Sequence, residues 1–396
     1  MHIGIDGTCW SNRRGFGRFT RELLRAVAAL DTGDEYVIFA DRQTADSAAF
    51  PAGWRVVIGE TTVAATTAAA ADGRRSIRDV WTMRRVVALE PLDVMFFPAV
   101  YSYFPIGGRT PCLVTFHDVI AETLGHLVFH TRRSRWFWQL KSWLAVRRAD
   151  CVLTVSQASK QGLIERFGLT DDRVRVVSEA PSDVFTPADR DSDEHRAALG
   201  RCGLEADERF LLYVGGISPH KNLSTLIEAF ANLVSDSDLG KLRLVLVGDY
   251  AGDVFRTCHQ QLVDRARALG ADDRVHFAGY VADDDLVHLY SAATAFVFPS
   301  YLEGFGLPAA EAMACGAPVV ASDRGSLPEV LDGAGELFDP HDADALLACL
   351  RRVVGDVAVQ DELRRRSLAR AQHLSWERAA RQLVDVLREV GGRTCG

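Results

Sequence analysis

Short apolar runs, many of them β-branched, recur along the chain and alternate with longer stretches whose apolar residues return every three or four positions. The short runs predict strands at residues 2–6, 36–40, 94–97, 112–115, 151–155 and 174–177. The same rhythm resumes at 210–214, 242–247, 275–277, 295–298 and 318–321. Helical spacing predicts helices between most of them, for example over 17–30, 159–167, 223–233 and 308–315. Strands that are apolar throughout belong to parallel sheets covered on both faces. Regular strand–helix alternation is the pattern of an α/β domain.

Two such series predict two Rossmann-like parallel-sheet domains, at 1–182 and 209–374. Between them, 183–208 reads as a linker. Ala180-Pro181-Ser182-Asp183 and Thr186-Pro187 break regular structure, and the charged run that follows has room for one short helix. The final segment, 375–396, opens on Ser375 as a helix cap and continues with apolar residues at helical spacing, so Trp376 and Leu383 are expected to be buried. Residues 64–73, rich in Ala and Thr, read as a mobile loop or an alanine-rich helix. In a two-lobed α/β protein, the default ligand site is the cleft at the carboxyl ends of the strands.

Composition narrows the class. The 396 residues are 48% apolar and 25% charged, an ordinary globular mixture large enough for two cores. No apolar run approaches the roughly 18 residues of a membrane span, and the first residues read as a strand rather than a signal peptide. The eight cysteines are scattered without a C-x-x-C pair, which suits reduced thiols in a cytoplasmic protein. Net charge is -8, unevenly spread. Residues 1–180 hold 23 Lys and Arg against 19 Asp and Glu, and the rest holds 22 against 34. The asymmetry fits two independent surfaces, or an N-terminal half that meets an anionic acceptor or a membrane.

The segment richest in chemistry runs from Phe298 to Pro318: Phe-Pro-Ser-Tyr-Leu-Glu-Gly-Phe-Gly-Leu-Pro-Ala-Ala-Glu-Ala-Met-Ala-Cys-Gly-Ala-Pro. It passes from a strand through a glycine loop into a helix. Gly304 and Gly306 let the backbone turn sharply beside a ligand, and Pro308 suits a first helical turn. The N–H groups of that turn and the helix dipole favour an anion. Glu303 and Glu311 bracket the turn, and carboxylates accept hydrogen bonds from sugar hydroxyls.

This segment resembles the Glu-x7-Glu motif of retaining GT-B glycosyltransferases, the large glycogen-synthase-like and mannosyltransferase-like family (glycosyltransferase group 1, family 4). The resemblance covers nearly the whole chain. It extends through Val319–Val330, through His276-Phe-Ala-Gly-Tyr-Val281 and through Tyr213-Val-Gly-Gly-Ile-Ser-Pro-His-Lys-Asn222. It implies an α/β GT-B fold with two Rossmann-like domains facing across a deep cleft, and a terminal helix crossing back to the N-terminal domain. It implies that Glu303 touches the donor sugar and Glu311 the ribose hydroxyls. Gly304, Phe305, Gly306 and Leu307 would line the sugar and phosphates, with Gly216 and Val281 also on the donor.

Lys221 would neutralise the departing diphosphate. Many relatives carry an arginine five residues before this lysine. Here that position is Gly216, and His220 is a nearby substitute. In the first half, the turn Arg14-Gly-Phe-Gly-Arg-Phe19 lacks the third glycine of a dinucleotide fingerprint. By resemblance Gly17 contacts the donor phosphates, whereas Arg18 is either a contact or a solvent-facing cation. His117 ends a strand and by resemblance lies beside the donor sugar. Asp118 either orients it or caps a turn, and Ser156 either faces the ligand or caps a helix.

Residues 126–148 mix Phe129, Trp136, Phe137, Trp138 and Trp143 with six basic residues. The first expectation is a packed helix with a basic outer face; the others are peripheral membrane contact and acceptor contact. Nothing resembles a nucleic-acid module. No metal or other cofactor is expected, since the one Asp-x-Asp considered, Asp191-Ser-Asp193, sits in the linker. The partners implied are a nucleotide-sugar donor, UDP- or GDP-linked first, and an acceptor sugar, lipid-linked glycan or small molecule. The protein would act in glycolipid, polysaccharide or natural-product assembly, in the cytoplasm or at the inner face of the membrane. Two other classes fit the same fold: a nucleotide-sugar epimerase, and a non-catalytic subunit that binds nucleotide sugar.

Overall fold

The computed structural model describes residues 1–12, 14–62, 76–235, 239, 241–249 and 257–392. The Ala/Thr-rich stretch 64–73 lies outside the described residues. The chain forms two compact units: Met1–Gly125 with Phe129–Glu179 and Ser375–Gly396, and His126–Val128 with Ala180–Leu374.

The first unit holds seven strands: β1 (His2–Asp6), β2 (Glu35–Asp41), β3 (Arg55–Gly59), β4 (Val94–Phe97), β5 (Cys112–Thr115), β6 (Cys151–Thr154) and β7 (Val174–Val176). Their order is β3-β2-β1-β4-β5-β6-β7 and every pairing is parallel. Every residue of β4, β5 and β6 is buried, as expected for strands covered on both faces.

The second unit holds β8 (Phe210–Val214), β9 (Arg243–Val247), β10 (Val275–Gly279), β11 (Ala295–Phe298), β12 (Val319–Ser322) and β13 (Glu336–Phe338). They run parallel in the order β10-β9-β8-β11-β12-β13. The apolar pattern missed β3 and β13. Both are edge strands; β3 is largely exposed and β13 has three residues.

The Trp376–Gly392 helix packs against the Gly15–Ala29 helix of the first unit. Trp376, Ala379, Ala380, Leu383, Val384, Leu387 and Val390 form its buried face. The Trp376 ring meets Phe19 with centroids 6.0 Å apart. A Cβ on Gly391 would come within 2.1 Å of the end of the Met1 side chain, which packs against the helix there. Residues 183–208 belong to the second unit. Their helix, Asp193–Arg201, is capped by Ser192 and packs on the Asp283–Ala292 helix, with His195, Ala198 and Leu199 buried.

Arg132–Arg148 is a helix, as the sequence predicts, but its outer face is not simply basic. Trp138 turns inward and donates its indole N–H to Glu122 at 2.7 Å, whereas Trp136, Phe137, Leu140, Trp143 and Leu144 are exposed. The inward face carries Ser134 and Ser142.

Candidate functional site

In each sheet the winding reverses once, between β1 and β4 and between β8 and β11. Loops leaving neighbouring strands at such a reversal diverge and open a crevice at the carboxyl ends. Gly17 follows β1, Gly216 and Lys221 follow β8, and Glu303 with the glycine turn follows β11, whereas His117 and Asp118 follow β5, Ser156 follows β6 and Val281 follows β10.

In the second unit the loop after β8 closes as a 3-10 turn, Pro219–Lys221. Asn222 follows in the left-handed conformation, and its amide N–H groups reach the carbonyls of Pro299 and Pro340 at 3.2 and 2.8 Å. The Tyr301 N–H donates to the His220 carbonyl at 3.0 Å. These bonds fasten the loop after β8 to the loop after β11 and set the position of Lys221. Its Nζ donates to Glu303 Oε1 at 2.6 Å and lies 5.3 Å from the centre of the Phe298 ring. Both side chains of the pair are largely buried. An ammonium has three donors, so Lys221 can hold Glu303 and still address an anion.

Gly216 receives the Tyr213 hydroxyl on its carbonyl at 2.8 Å. The imidazole of His220 is pushed down to about 3, chiefly by burial and then by the adjacent Lys221. Burial and the neighbouring cation thus both favour the neutral imidazole.

The glycine turn follows Glu303. Gly306 is left-handed, with φ of 92°, and a Cβ there would lie 2.6 Å from Leu327. The Ser326 hydroxyl lies 3.2 and 2.8 Å from the carbonyl oxygens of Glu303 and Phe305, which fixes the backbone from Glu303 through Gly304 to Leu307. Phe305 and Leu307 are buried. The Leu307–Ala314 helix begins at once, with Pro308 in its first turn. Glu311 is buried and its Oε2 accepts the Tyr290 hydroxyl at 3.1 Å. Val281, past the end of β10, is buried as well.

In the first unit His117 follows β5. Its Nδ1 lies 3.3 Å from Glu179 Oε1 and its Nε2 lies 3.0 Å from the Pro98 carbonyl. The Phe19 ring meets the imidazole edge-on at 4.7 Å. Sequence reasoning missed Glu179, which stands 62 positions from His117 in an unremarkable Ser-Glu-Ala. Asp118 accepts the Ile120 N–H at 2.8 Å, a turn contact. Ser156 caps the Gln157–Phe167 helix by accepting the Ser159 N–H at 3.0 Å. The Gly17 N–H donates to the Arg14 carbonyl at 3.0 Å. A Cβ on Gly17 would fall 2.0 Å from the Asn12 carbonyl oxygen, so close backbone packing alone demands glycine there. Arg18, half-buried, lies on the same Gly15–Ala29 helix.

Thus the second unit brings Lys221, Glu303 and the glycine turn together at its winding reversal. The first unit holds His117 between a carboxylate and a carbonyl. Among the described residues, no three His, Cys, Asp or Glu side chains gather as a metal would require. No described helix is long and apolar enough to cross a membrane. Cys9, Cys112, Cys202, Cys315 and Cys349 form no disulfide.

Comparison with known proteins matches residues 197–372 to the family model of Glycosyl transferases group 1, and residues 13–180 to that of Glycosyltransferase Family 4. O-antigen chain mannosyltransferase B of Escherichia coli is 35% identical over 276 residues, 69% of each chain. The serotype-specific mannosyltransferase WbdA of Escherichia coli is 31% identical over 239 residues, 60% of this chain but 28% of that protein. A D-inositol 3-phosphate glycosyltransferase of Nocardioides is 36% identical over 256 residues, 62% of this chain and 55% of that protein. The chain thus spans about half or less of the length of the latter two relatives.

Among solved structures, sucrose-phosphate synthase of Thermosynechococcus elongatus aligns with a TM-score of 0.75 at 22% identity, covering 99% of this chain and 100% of that one. Anabaena HepE in complex with UDP and glucose aligns at 0.71 and 20% identity, covering 98% of each chain.

Proposed function

The chain belongs to the glycosyltransferases of group 1 and family 4 and has the GT-B fold, and on that premise we propose that it transfers a sugar from a nucleotide-diphosphate sugar to an acceptor hydroxyl with retention of configuration. The observation that carries this reading is the Lys221–Glu303 pair set beside the glycine turn that opens the Leu307–Ala314 helix. A cation and a helix start at one winding reversal suit a diphosphate. Glu303 supplies an acceptor for sugar hydroxyls at the same place. The mannosyltransferase and UDP-bound neighbours favour a UDP- or GDP-linked hexose.

In the proposed reaction the acceptor oxygen attacks the anomeric carbon from the face that the diphosphate leaves. The bond from that carbon to the phosphate oxygen breaks, and the departing oxygen takes the acceptor proton. Lys221 and the helix start stabilise the charge that develops on the leaving group. The test is a thermal-shift panel of UDP-, GDP-, ADP- and dTDP-sugars, because a ligand of the native state raises the melting temperature. Turnover with the stabilising donor follows, and the anomeric configuration of the product is read by NMR. An inverted product would overturn the retaining assignment.

One observation keeps a second reading, a nucleotide-sugar-binding partner subunit without turnover: Gly216 stands where many relatives carry a cation. Acceptor-dependent release of nucleotide separates the two, and also excludes an epimerase.

Two expectations arise here. Glu311→Ala should weaken binding of the donor nucleotide by about 1–3 kcal/mol, the cost of leaving polar partners unpaired. Calorimetry on a folded variant that shows wild-type affinity would remove Glu311 from the ribose. Turnover should also survive EDTA, because the diphosphate charge is met by Lys221 and the helix start. Activity lost to the chelator and restored by Mg²⁺ or Mn²⁺ would contradict this mechanism.

A further inference from the structure

The Arg132–Arg148 helix is built inside out. At 100° per residue, Trp136, Phe137, Leu140, Trp143 and Leu144 fall on one arc, and all five are exposed. Trp136 is 57% accessible and Trp143 49%. The opposite arc, which packs inward, carries Ser134, Ser142, Ala145 and Val146 around a single tryptophan, Trp138. A helix stabilised only by the core would place its large apolar residues the other way.

Charge surrounds the exposed stripe. The 17 residues contain six Lys and Arg and no Asp or Glu. The Arg133 guanidinium lies over the Phe137 ring at 5.5 Å and that of Arg147 over Trp143 at 5.1 Å, so cations bracket the stripe at both ends. A second helix of the same unit, Ile77–Ala88, repeats the pattern. Ile77 and Trp81 are exposed, as is Leu89 just past its end, and Arg84 lies over Trp81 at 5.1 Å. The two helices connect β3 to β4 and β5 to β6, crossings in the same direction along the sheet. Right-handed crossovers place both on one face of it.

We propose that this face of the first unit docks on an anionic lipid bilayer, with the tryptophans in the headgroup region and the arginines against lipid phosphates. Tryptophan is the side chain suited to that boundary, with an apolar body and one polar N–H. Arginine adds charge-driven attraction to anionic lipid. A second copy of the chain is disfavoured as the occupant, because two helices of this composition would bring together twelve cations and no anion.

The test uses the full chain and sedimentation with vesicles of phosphatidylcholine alone, or of phosphatidylcholine and phosphatidylglycerol in equal parts. The chain should bind the anionic vesicles at least about tenfold better than the neutral ones, and added salt should weaken that binding. Joint Trp136→Ser and Trp143→Ser substitution should lower partitioning about tenfold or more. Both side chains are exposed, so the melting temperature should not change. A second variant, Arg133→Gln with Arg147→Gln, leaves the aromatics in place and should weaken anionic binding about thirtyfold. Absence of sedimentation with anionic vesicles, or equal sedimentation of wild type and both variants, would overturn the proposal. So would a wild-type dimer that the tryptophan substitutions dissolve without any vesicle binding.

Discussion

Lys221→Ala is expected to lower turnover by about 100- to 1000-fold, the effect of removing one preorganised group from a developing charge. Affinity for the ground-state donor should fall less, because the interaction strengthens as the diphosphate departs. The structure adds a complication that must be separated from catalysis. Lys221 is the ion-pair partner of a largely buried Glu303, and stranding a buried carboxylate costs about 3–5 kcal/mol of stability. Lys221→Met combined with Glu303→Gln removes both charges together and should recover most of that stability. It should not recover turnover if Lys221 acts on the leaving group. Single-turnover kinetics beside thermal melts decide the matter: wild-type rates in folded Lys221→Ala would show that the cation does no chemistry.

His117→Ala should lower turnover about 100-fold or more if, as the family resemblance implies, the imidazole supports the donor sugar while charge builds at its anomeric carbon. Affinity for free nucleotide should stay near wild type, because the residues proposed for the nucleoside and phosphates, apart from Gly17 and the alternative contact Arg18, lie in the second unit. Glu179 holds Nδ1 of the imidazole, which makes it a positioning residue. Glu179→Gln keeps the shape, retains a hydrogen-bonding group and should cost less than losing the ring. Calorimetry with UDP and GDP, paired with single-turnover rates, checks the division. A His117 variant that loses nucleotide binding and turnover together would not fit it.

The strands were legible because a parallel sheet buries both faces and so leaves unbroken apolar runs such as Val94–Phe97. β3 and β13 escaped for the complementary reason. An edge strand is paired on one side, and these two keep polar or exposed positions, so their runs fade. The glycine turn was legible because its constraint is local: Gly306 must be left-handed, and Pro308 must follow within one turn. The pairing of Lys221 with Glu303 was not, since the residues lie 82 positions apart and meet only through the order of β8 and β11. The downward shift of His220 was hidden likewise, because its largest cause is burial. The outward stripe of Arg132–Arg148 was obscured by the consecutive Trp136, Phe137 and Trp138, which split between inside and outside once the helix is built.

The route of the chain also bears on how the protein is made. The first unit closes only when the Trp376–Gly392 helix reaches the Gly15–Ala29 helix. The second unit is an uninterrupted stretch of sequence, Ala180–Leu374, apart from the short His126–Val128 segment. During synthesis, with chain emerging at about 5–20 residues per second, the whole Ala180–Leu374 stretch is therefore made before the helix that completes the earlier unit. Until that helix leaves the ribosome exit tunnel, the apolar face of Phe19, Leu23 and Val27 remains without the cover that Trp376, Leu383 and Leu387 supply. Stop codons just after residue 374 should accordingly yield chains in which the Ala180–Leu374 unit is folded and the other is the target of chaperones and proteases.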